Sequence, residues 1–237
     1  MVNTTVQTGA TPAPKSLVAR FFGVIVSPRE TYESIVAHPK WLGMLAITVL
    51  AVSVLLTGFL MTKVGQDAWF DAATRNPGMT DQQLQAVEKM APFAGYFAGA
   101  SIFVFMPLML VVVAGILFAV FNAALGGNAT FKQVFAVVVH AGPIGVLSQL
   151  FTVPMNYARG TMTSGTNLYV LVQSVVEENT FVAKLLGMID IFLVWQLIVL
   201  SMGLAVLYRR RTQPIATTLL VLYAVIAVIV AFVRRGA

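Results

Sequence analysis

The sequence contains no cysteine and only two histidines. The lack of thiols excludes disulfide frameworks, thiolate metal sites and thiol nucleophiles, and two imidazoles are too few for most zinc sites. Charge is also scarce, since only 10% of the 237 residues are charged against roughly 25% in a water-soluble domain. With 58% hydrophobic residues, the composition argues against a soluble fold and predicts a membrane protein.

The charge that is present is mostly positive, with 15 basic and 9 acidic residues. The basic side chains are scattered or stand beside apolar runs, and no basic face alternates with aromatic residues. We therefore expect no nucleic-acid partner and interpret the charge as a signal of membrane topology.

Long apolar runs predict an all-α, polytopic membrane protein whose domain, residues 41–237, is a bundle of five transmembrane helices. The predicted spans are residues 42–60, 95–121, 131–154, 183–207 and 214–233. Lys40 and Trp41 form an interfacial anchor before the first span. The last two spans form a hairpin, because only a short loop with Arg209, Arg210 and Arg211 separates them.

The region before the first span predicts no further crossing. Residues 1–14 have the composition of a disordered tail, without the features of a cleavable signal peptide. Residues 15–40 predict two short amphipathic helices at the membrane interface. The second helix is expected to begin with a capping box formed by Ser27 and Glu30.

Asp190 is the one carboxylate inside a predicted span, where it costs about 2.5 to 3.5 kcal/mol unless something compensates it. Counted from Phe131 and from Phe181, where the apolar runs begin, His140 and Asp190 each lie nine residues in, or about 13 Å from opposite membrane faces. Both side chains are therefore expected near the same depth, about the midplane. We hypothesise that they form a hydrogen bond, either as a structural contact or as part of a proton pathway; the alternative is that they do not meet.

The other candidate residues in the spans are expected to pack, to form hydrogen bonds between helices or to line a pathway. Gln196 is expected to donate a hydrogen bond between helices and Trp195 to pack, whereas Gln149 is a group that could line a pathway. Arg209, Arg210 and Arg211 could bind anionic lipid. A topology anchor is favoured, because three basic residues fall short of the four to eight typical of lipid recognition.

No recognised catalytic motif is present. The sequence contains no G-x-S-x-G, H-E-x-x-H, P-loop or dinucleotide-binding glycine pattern. We therefore assign no catalytic, metal-binding or cofactor-binding residue and expect no cofactor and no enzymatic activity. An intramembrane enzyme would need a nucleophile or a metal set that the sequence does not display.

Three groups of residues carry a family resemblance. They are Ser27-Pro28 with Tyr32, Ile35 and Pro39; Leu125-Gly126-Gly127 with Phe131-Lys132 and Val134-Phe135; and Asp190-Ile191-Phe192 with Trp195 and Gly203. Together they resemble the bacterial-type members of the Yip-one family, named for proteins that interact with Ypt/Rab GTPases. The resemblance implies a five-helix domain with a cytoplasmic N-terminus and no known catalytic residues. Rab binding is not carried over, because the region before the first span is short and lacks the long polar tail of eukaryotic relatives.

These observations favour a non-enzymatic scaffold that organises membranes through contacts with lipids or other membrane proteins. The alternative is a small permease or channel that uses Asp190 and His140 as a polar site at the midplane. The short linkers predict a location in the bacterial inner membrane. With the N-terminus in the cytoplasm, eight of the 15 basic residues lie inside, so the charge distribution supports this orientation only slightly.

Overall fold

The computed structural model describes residues 13–75, 78–177 and 180–233, so the first twelve residues of the predicted tail lie outside it. Across these ranges the chain forms eleven α-helices, and the β-structure there is one isolated bridge between Asn167 and Asp190. The predicted all-α fold is confirmed. The helices are α1 (Leu17–Val26), α2 (Pro28–Ala37), α3 (Leu42–Leu60), α4 (Lys63–Ala73), α5 (Asp81–Met90), α6 (Ala94–Phe118), α7 (Phe131–His140), α8 (Gly142–Arg159), α9 (Phe181–Met188), α10 (Ile191–Tyr208) and α11 (Thr212–Val233).

Five helical stretches within the described ranges are long and apolar enough to cross a membrane. They are Leu42–Leu60, Asp81–Ala123, Phe131–Arg159, Ile191–Tyr208 and Thr212–Val233. The second joins α5 to α6 through a 3-10 turn and continues into a π-helical turn at Ala119–Ala124. The third joins α7 to α8 at Ala141 and ends later than predicted, at Arg159, where Gly160 adopts a left-handed conformation with φ of 59°.

The two N-terminal helices are docked on the bundle. Tyr32 and Ile35 on α2 are fully buried against α7 and α10, and the Tyr32 hydroxyl donates to the carbonyl of Val137 at 3.4 Å. Gly203 on α10 allows this approach, because a Cβ there would lie 2.7 Å from both the Tyr32 ring and the Val137 side chain. The opposite face of α1 remains apolar and exposed, as an interfacial helix requires, through Val18, Phe22 and Val26.

A second close approach joins α3 to α6. Ser53 donates to the carbonyl of Gly99 and Thr57 to that of Gly95, each at 3.2 Å. A Cβ at Gly95 would lie 3.1 Å from the Thr57 carbonyl oxygen. The two glycines therefore let the helix backbones pack closely, as small residues do in membrane helices.

Two local predictions need correction. Ser27 makes no capping hydrogen bond; its partner in the predicted box, Glu30, instead forms an ion pair with Lys15 at 2.8 Å. The fourth span begins at Ile191 rather than at residue 183, because the helix is interrupted at Ile189 and Asp190 and the preceding residues form the separate helix α9.

Candidate functional site

The interruption between α9 and α10 is stabilised by Asp190, which is the N-cap of α10. One carboxylate oxygen accepts from the backbone N–H groups of Phe192 at 2.9 Å and Leu193 at 3.2 Å. These are two of the N–H groups that a helix start leaves without an internal partner. Asp190 was predicted to lie inside a continuous span, and this is wrong, because its side chain bonds to the backbone ahead of it and so begins a helix.

The second carboxylate oxygen of Asp190 is bound by a polar segment that is distant in sequence. It accepts from the hydroxyl of Ser164 at 2.9 Å and from that of Thr166. The same segment also pairs with the interrupted backbone: the N–H of Leu168 donates to Ile189 at 2.9 Å, and that of Ile191 donates to Thr166 at 3.2 Å. Residues 164–168 therefore supply partners that the missing helical turn cannot.

Tyr223 on α11 forms two further hydrogen bonds with the interrupted backbone. Its hydroxyl donates to the carbonyl of Met188 and accepts from the backbone N–H of Asp190 at 3.3 Å. Non-helical backbone at membrane depth is tolerated only when its polar groups find partners within the protein. The break is therefore stabilised by three separate parts of the chain: Asp190 itself, residues 164–168 and Tyr223.

A polar cleft of about 410 Å³ opens beside this break. One face of α8 lines it with side chains at helical spacing: Ser148, Gln149, Thr152 and Asn156. Asp190 and Gln196 line it from α10, so three residues selected from the sequence, Gln149, Asp190 and Gln196, do meet at one place.

Two side chains in the wall of this cleft lack partners. The hydroxyl of Thr152 and the amide oxygen of Asn156 make no hydrogen bond within the described chain, although the two residues are only 8% and 7% exposed. Buried polar atoms are almost always satisfied. Both oxygen atoms are themselves buried, so the wall of the cleft holds unused hydrogen-bonding capacity that does not face its opening.

His140 lies elsewhere, in the packed interior at the end of α7. It is fully buried, and both ring nitrogens are engaged: Nδ1 lies 2.7 Å from the carbonyl of Ala136, and Nε2 lies 3.3 Å from the guanidinium of Arg20. Because an arginine donates and cannot accept, Nε2 is the acceptor and Nδ1 carries the proton. The predicted hydrogen bond with Asp190 is therefore wrong, since His140 has no free ring nitrogen.

Arg20 reaches His140 because α1 packs against α7 and α8. Its guanidinium also donates to the carbonyl of Lys40 at 2.7 Å, and the residue is 8% exposed. Burial lowers the pKa of Arg20 from its ordinary value, yet arginine stays charged in proteins. This buried cation ties the start of the first span to α7.

The remaining predicted residues lie in ordinary packing or loop positions. Trp195 packs against Phe192 with ring centroids 6.3 Å apart, and Trp41 packs edge-on against Phe135 at 5.0 Å. Arg209 ends α10 in a left-handed conformation with φ of 51°, which is uncommon for a residue other than glycine.

Sequence reasoning missed Ser164, Thr166, Tyr223 and Arg20. Their individual signals are weak, because a serine and threonine turn, a tyrosine within an apolar helix and an arginine in an amphipathic helix are all ordinary. Over the described residues, the structure brings no three His, Cys, Asp or Glu side chains together in a group that could hold a metal ion.

Comparison with known families gives one result that covers most of the chain. The model of the Yip1 domain matches residues 22–234, which confirms the resemblance seen in the sequence. No match was found among curated proteins or solved structures. The matched range includes both the helix break at Asp190 and the contact between Tyr32 and Gly203.

Proposed function

The chain belongs to the Yip1 domain family and is an integral membrane protein with five apolar helices, and on this basis we propose that it acts as a non-enzymatic membrane scaffold. Its work would be done by contacts with partner proteins or lipids. We further propose a location in the bacterial inner membrane with a cytoplasmic N-terminus.

The main observation in support of the scaffold role is that both carboxylate oxygens of Asp190 are fully hydrogen-bonded within the protein. Four donors occupy its two oxygens, which is about the full accepting capacity of a carboxylate. A carboxylate that binds and releases an ion or proton during transport needs a free oxygen. The bonding of Asp190 supports a structural role instead.

The packed core next to the cleft supports the same proposal. Ile144, which directly precedes the cleft residue Gly145, is 0% exposed, and Val199, one turn along α10 from the cleft residue Gln196, is 1% exposed. His140 is also 0% exposed. The cleft therefore ends on tightly packed side chains and does not continue towards the N-terminal helices.

A small permease remains the second candidate, and the cleft itself is the observation that favours it. A volume of about 410 Å³ is in the range of small-molecule sites, and its polar lining includes an acidic group with no basic residue. A transported species would accordingly be a cation or a neutral hydrogen-bonding solute.

Partner contact can be tested by photo-crosslinking in living cells. A benzoylphenylalanine placed at Phe105, which is 60% exposed on α6, should yield an adduct with a discrete partner protein. The matched control is the same probe at Phe59, which is 4% exposed and should yield none. The absence of any protein adduct at Phe105 and at other exposed positions of α6 and α11 would contradict a protein scaffold.

Transport is tested separately with the purified chain in proteoliposomes. Potassium and proton fluxes, followed with encapsulated fluorescent indicators, should equal those of empty vesicles. A flux above that level which disappears in Asp190→Asn would replace the scaffold with the permease.

A further inference from the structure

The fold gathers basic residues that are far apart in sequence. Arg29 on α2 and Arg209, Arg210 and Arg211 in the α10–α11 turn line one cavity of about 470 Å³, together with Glu33. Three arginines alone fall short of the four to eight basic residues typical of an anionic-lipid site, and Arg29 supplies the fourth. We define these four residues as the arginine cluster.

The arginine cluster is available for a ligand. All four side chains are exposed. Arg210 donates one hydrogen bond, to the carbonyl of Leu125 at 3.0 Å, which leaves its remaining N–H groups free. The structure shows no ion pair between any of the four and a described carboxylate. Four cations beside one glutamate therefore present an uncompensated positive surface.

An apolar groove adjoins the arginine cluster and shares Arg210 with it. The groove has a volume of about 410 Å³ and lies between the end of α6 and the first half of α11. Its lining is otherwise almost entirely apolar, and its walls include Leu117, Phe121, Ile215, Leu219 and Leu222. Arg210 stands at the end of the groove nearest the membrane surface, since it lies two residues before the start of α11 at Thr212.

The length of the groove fits one leaflet. From Pro214 to Leu222 it follows α11 over about 12 Å, at 1.5 Å per residue. Half of a hydrocarbon core of about 30 Å is about 15 Å. An acyl chain from the leaflet next to the arginines would therefore run along most of the groove, with its headgroup at the level of Arg210.

We propose that the arginine cluster and this groove together form a binding site for one anionic phospholipid, with the phosphate held by the arginines and an acyl chain lying between α6 and α11. Guanidinium groups suit phosphate because they offer paired donors in a fixed plane. This proposal adds one specific lipid contact to the scaffold role. The lipid site itself is inferred from the arginines and the groove, and only its biological purpose rests on the proposed function.

The test is a lipid titration of the full-length chain in detergent, followed by native mass spectrometry. Dioleoylphosphatidylglycerol should bind at one copy per chain and at least tenfold more tightly than dioleoylphosphatidylcholine. Each arginine near an anionic headgroup contributes about fivefold in affinity. The triple variant R209Q/R210Q/R211Q should therefore bind phosphatidylglycerol about a hundredfold more weakly, and Arg159→Gln, outside the cluster, should bind as the parent does.

The groove has its own pair of variants. Thr218→Trp places an indole in the groove and should weaken phosphatidylglycerol binding at least tenfold, whereas Val221→Trp, at a position 56% exposed and outside the groove, should not. Each variant is first shown to melt at the parent's temperature without lipid. If the triple variant does not fold, Arg210→Gln, which removes one charge and should weaken phosphatidylglycerol binding about fivefold, replaces it.

Three outcomes would overturn the proposal. Equal affinity for the two lipids would exclude recognition of the headgroup charge. Displacement of phosphatidylglycerol by millimolar inorganic phosphate would indicate a free-anion site, and unchanged binding in Thr218→Trp would remove the groove from it. Failure of this titration leaves the crosslinking result at Phe105 unaffected, so the lipid site and the protein scaffold are tested independently.

Discussion

Replacement of Asp190 by alanine tests whether this carboxylate holds the break between α9 and α10. The substitution removes the acceptor for the N–H groups of Phe192 and Leu193, and the acceptor for the hydroxyls of Ser164 and Thr166. Loss of the bonds to the two N–H groups removes the N-cap of α10. Loss of the bonds to the two hydroxyls separates the polar segment, residues 164–168, from α10. Both act on the same few residues, so their effects are measured together.

The magnitude follows from these contacts. Loss of an N-cap costs about 1 kcal/mol, and loss of hydrogen bonds to a charged group costs about 1.5 kcal/mol or more for each. Ser164 and Thr166 recover part of this, because their hydroxyls already lie 3.0 Å apart and can bond to each other. We expect Asp190→Ala to lower the free energy of unfolding by about 3 kcal/mol.

Asp190→Asn should cost only about 1 kcal/mol. The amide oxygen can still cap the helix, and the amide N–H groups can donate to Ser164 and Thr166, whose hydroxyls also accept. Thr180→Ala is the matched control. The Thr180 hydroxyl caps α9 by accepting from the N–H of Ala183 at 3.1 Å, and it donates to the carbonyl of Glu177 at 2.9 Å, so its loss should cost about 1 to 2 kcal/mol.

The assay is reversible unfolding in mixed detergent micelles, followed by tryptophan fluorescence. Trp195 in the first turns of α10 lies near the break and reports on it. If Asp190→Ala costs no more than Thr180→Ala, the carboxylate does not join the polar segment to α10. If Asp190→Asn costs as much as Asp190→Ala, the negative charge matters and the hydrogen-bond argument is refuted.

Two further predictions use glycines in matched pairs, each measured in the same unfolding assay. Gly203→Ala should destabilise the chain by about 1 to 3 kcal/mol, because its Cβ would overlap the fully buried Tyr32 ring; Gly145→Ala, where no atom lies within 4 Å, should be neutral or stabilising. Gly99→Leu should separate α3 from α6 and lower the melting temperature, whereas Gly115→Leu on the same helix meets open space. Equal effects within either pair would show that close packing at that glycine contributes nothing.

The spans were predictable because hydropathy alone determines them. An uncharged run of about 20 apolar residues is typical of a helix that crosses a bilayer, and the structure has a helix, Leu42–Leu60, with the same bounds as the first predicted span. Gln149, Gln196 and Asp190, which the sequence singles out separately as polar residues of the spans, line one cleft in the structure. A polar group in a span needs a partner, and such groups therefore tend to meet.

The break at Asp190 was missed because hydropathy does not report backbone conformation. The run from Phe181 to Tyr208 is apolar on both sides of the aspartate, and a continuous helix fits it as well as two shorter ones. Two residues that supply hydrogen bonds to Asp190 at the break, Thr166 and Tyr223, are 24 and 33 residues away from it in sequence. Only tertiary structure brings them to the same place.

The error at His140 has a related cause. The predicted depths of His140 and Asp190 assume that the third and fourth spans are straight helices that start at opposite membrane faces. The N-terminal helices were expected at the membrane interface, without a contact to His140. In the structure α1 docks against the bundle, and the guanidinium of Arg20 and the carbonyl of Ala136 occupy the two ring nitrogens of His140. A short amphipathic helix with a buried arginine was thus the missing element.

The packed core also bears on the choice between scaffold and permease. A path from the cleft towards the N-terminal helices would have to separate side chains such as Tyr32, Ile144 and Val199, which are at most 1% exposed. Exposing a buried side chain of this size costs about 1.5 to 3 kcal/mol, so three of them cost about 5 kcal/mol or more. An open state would then be populated by roughly one molecule in several thousand. A transported ligand would have to bind the open state that much more tightly to hold it, and Asp190, with every acceptor site occupied, offers no such interaction.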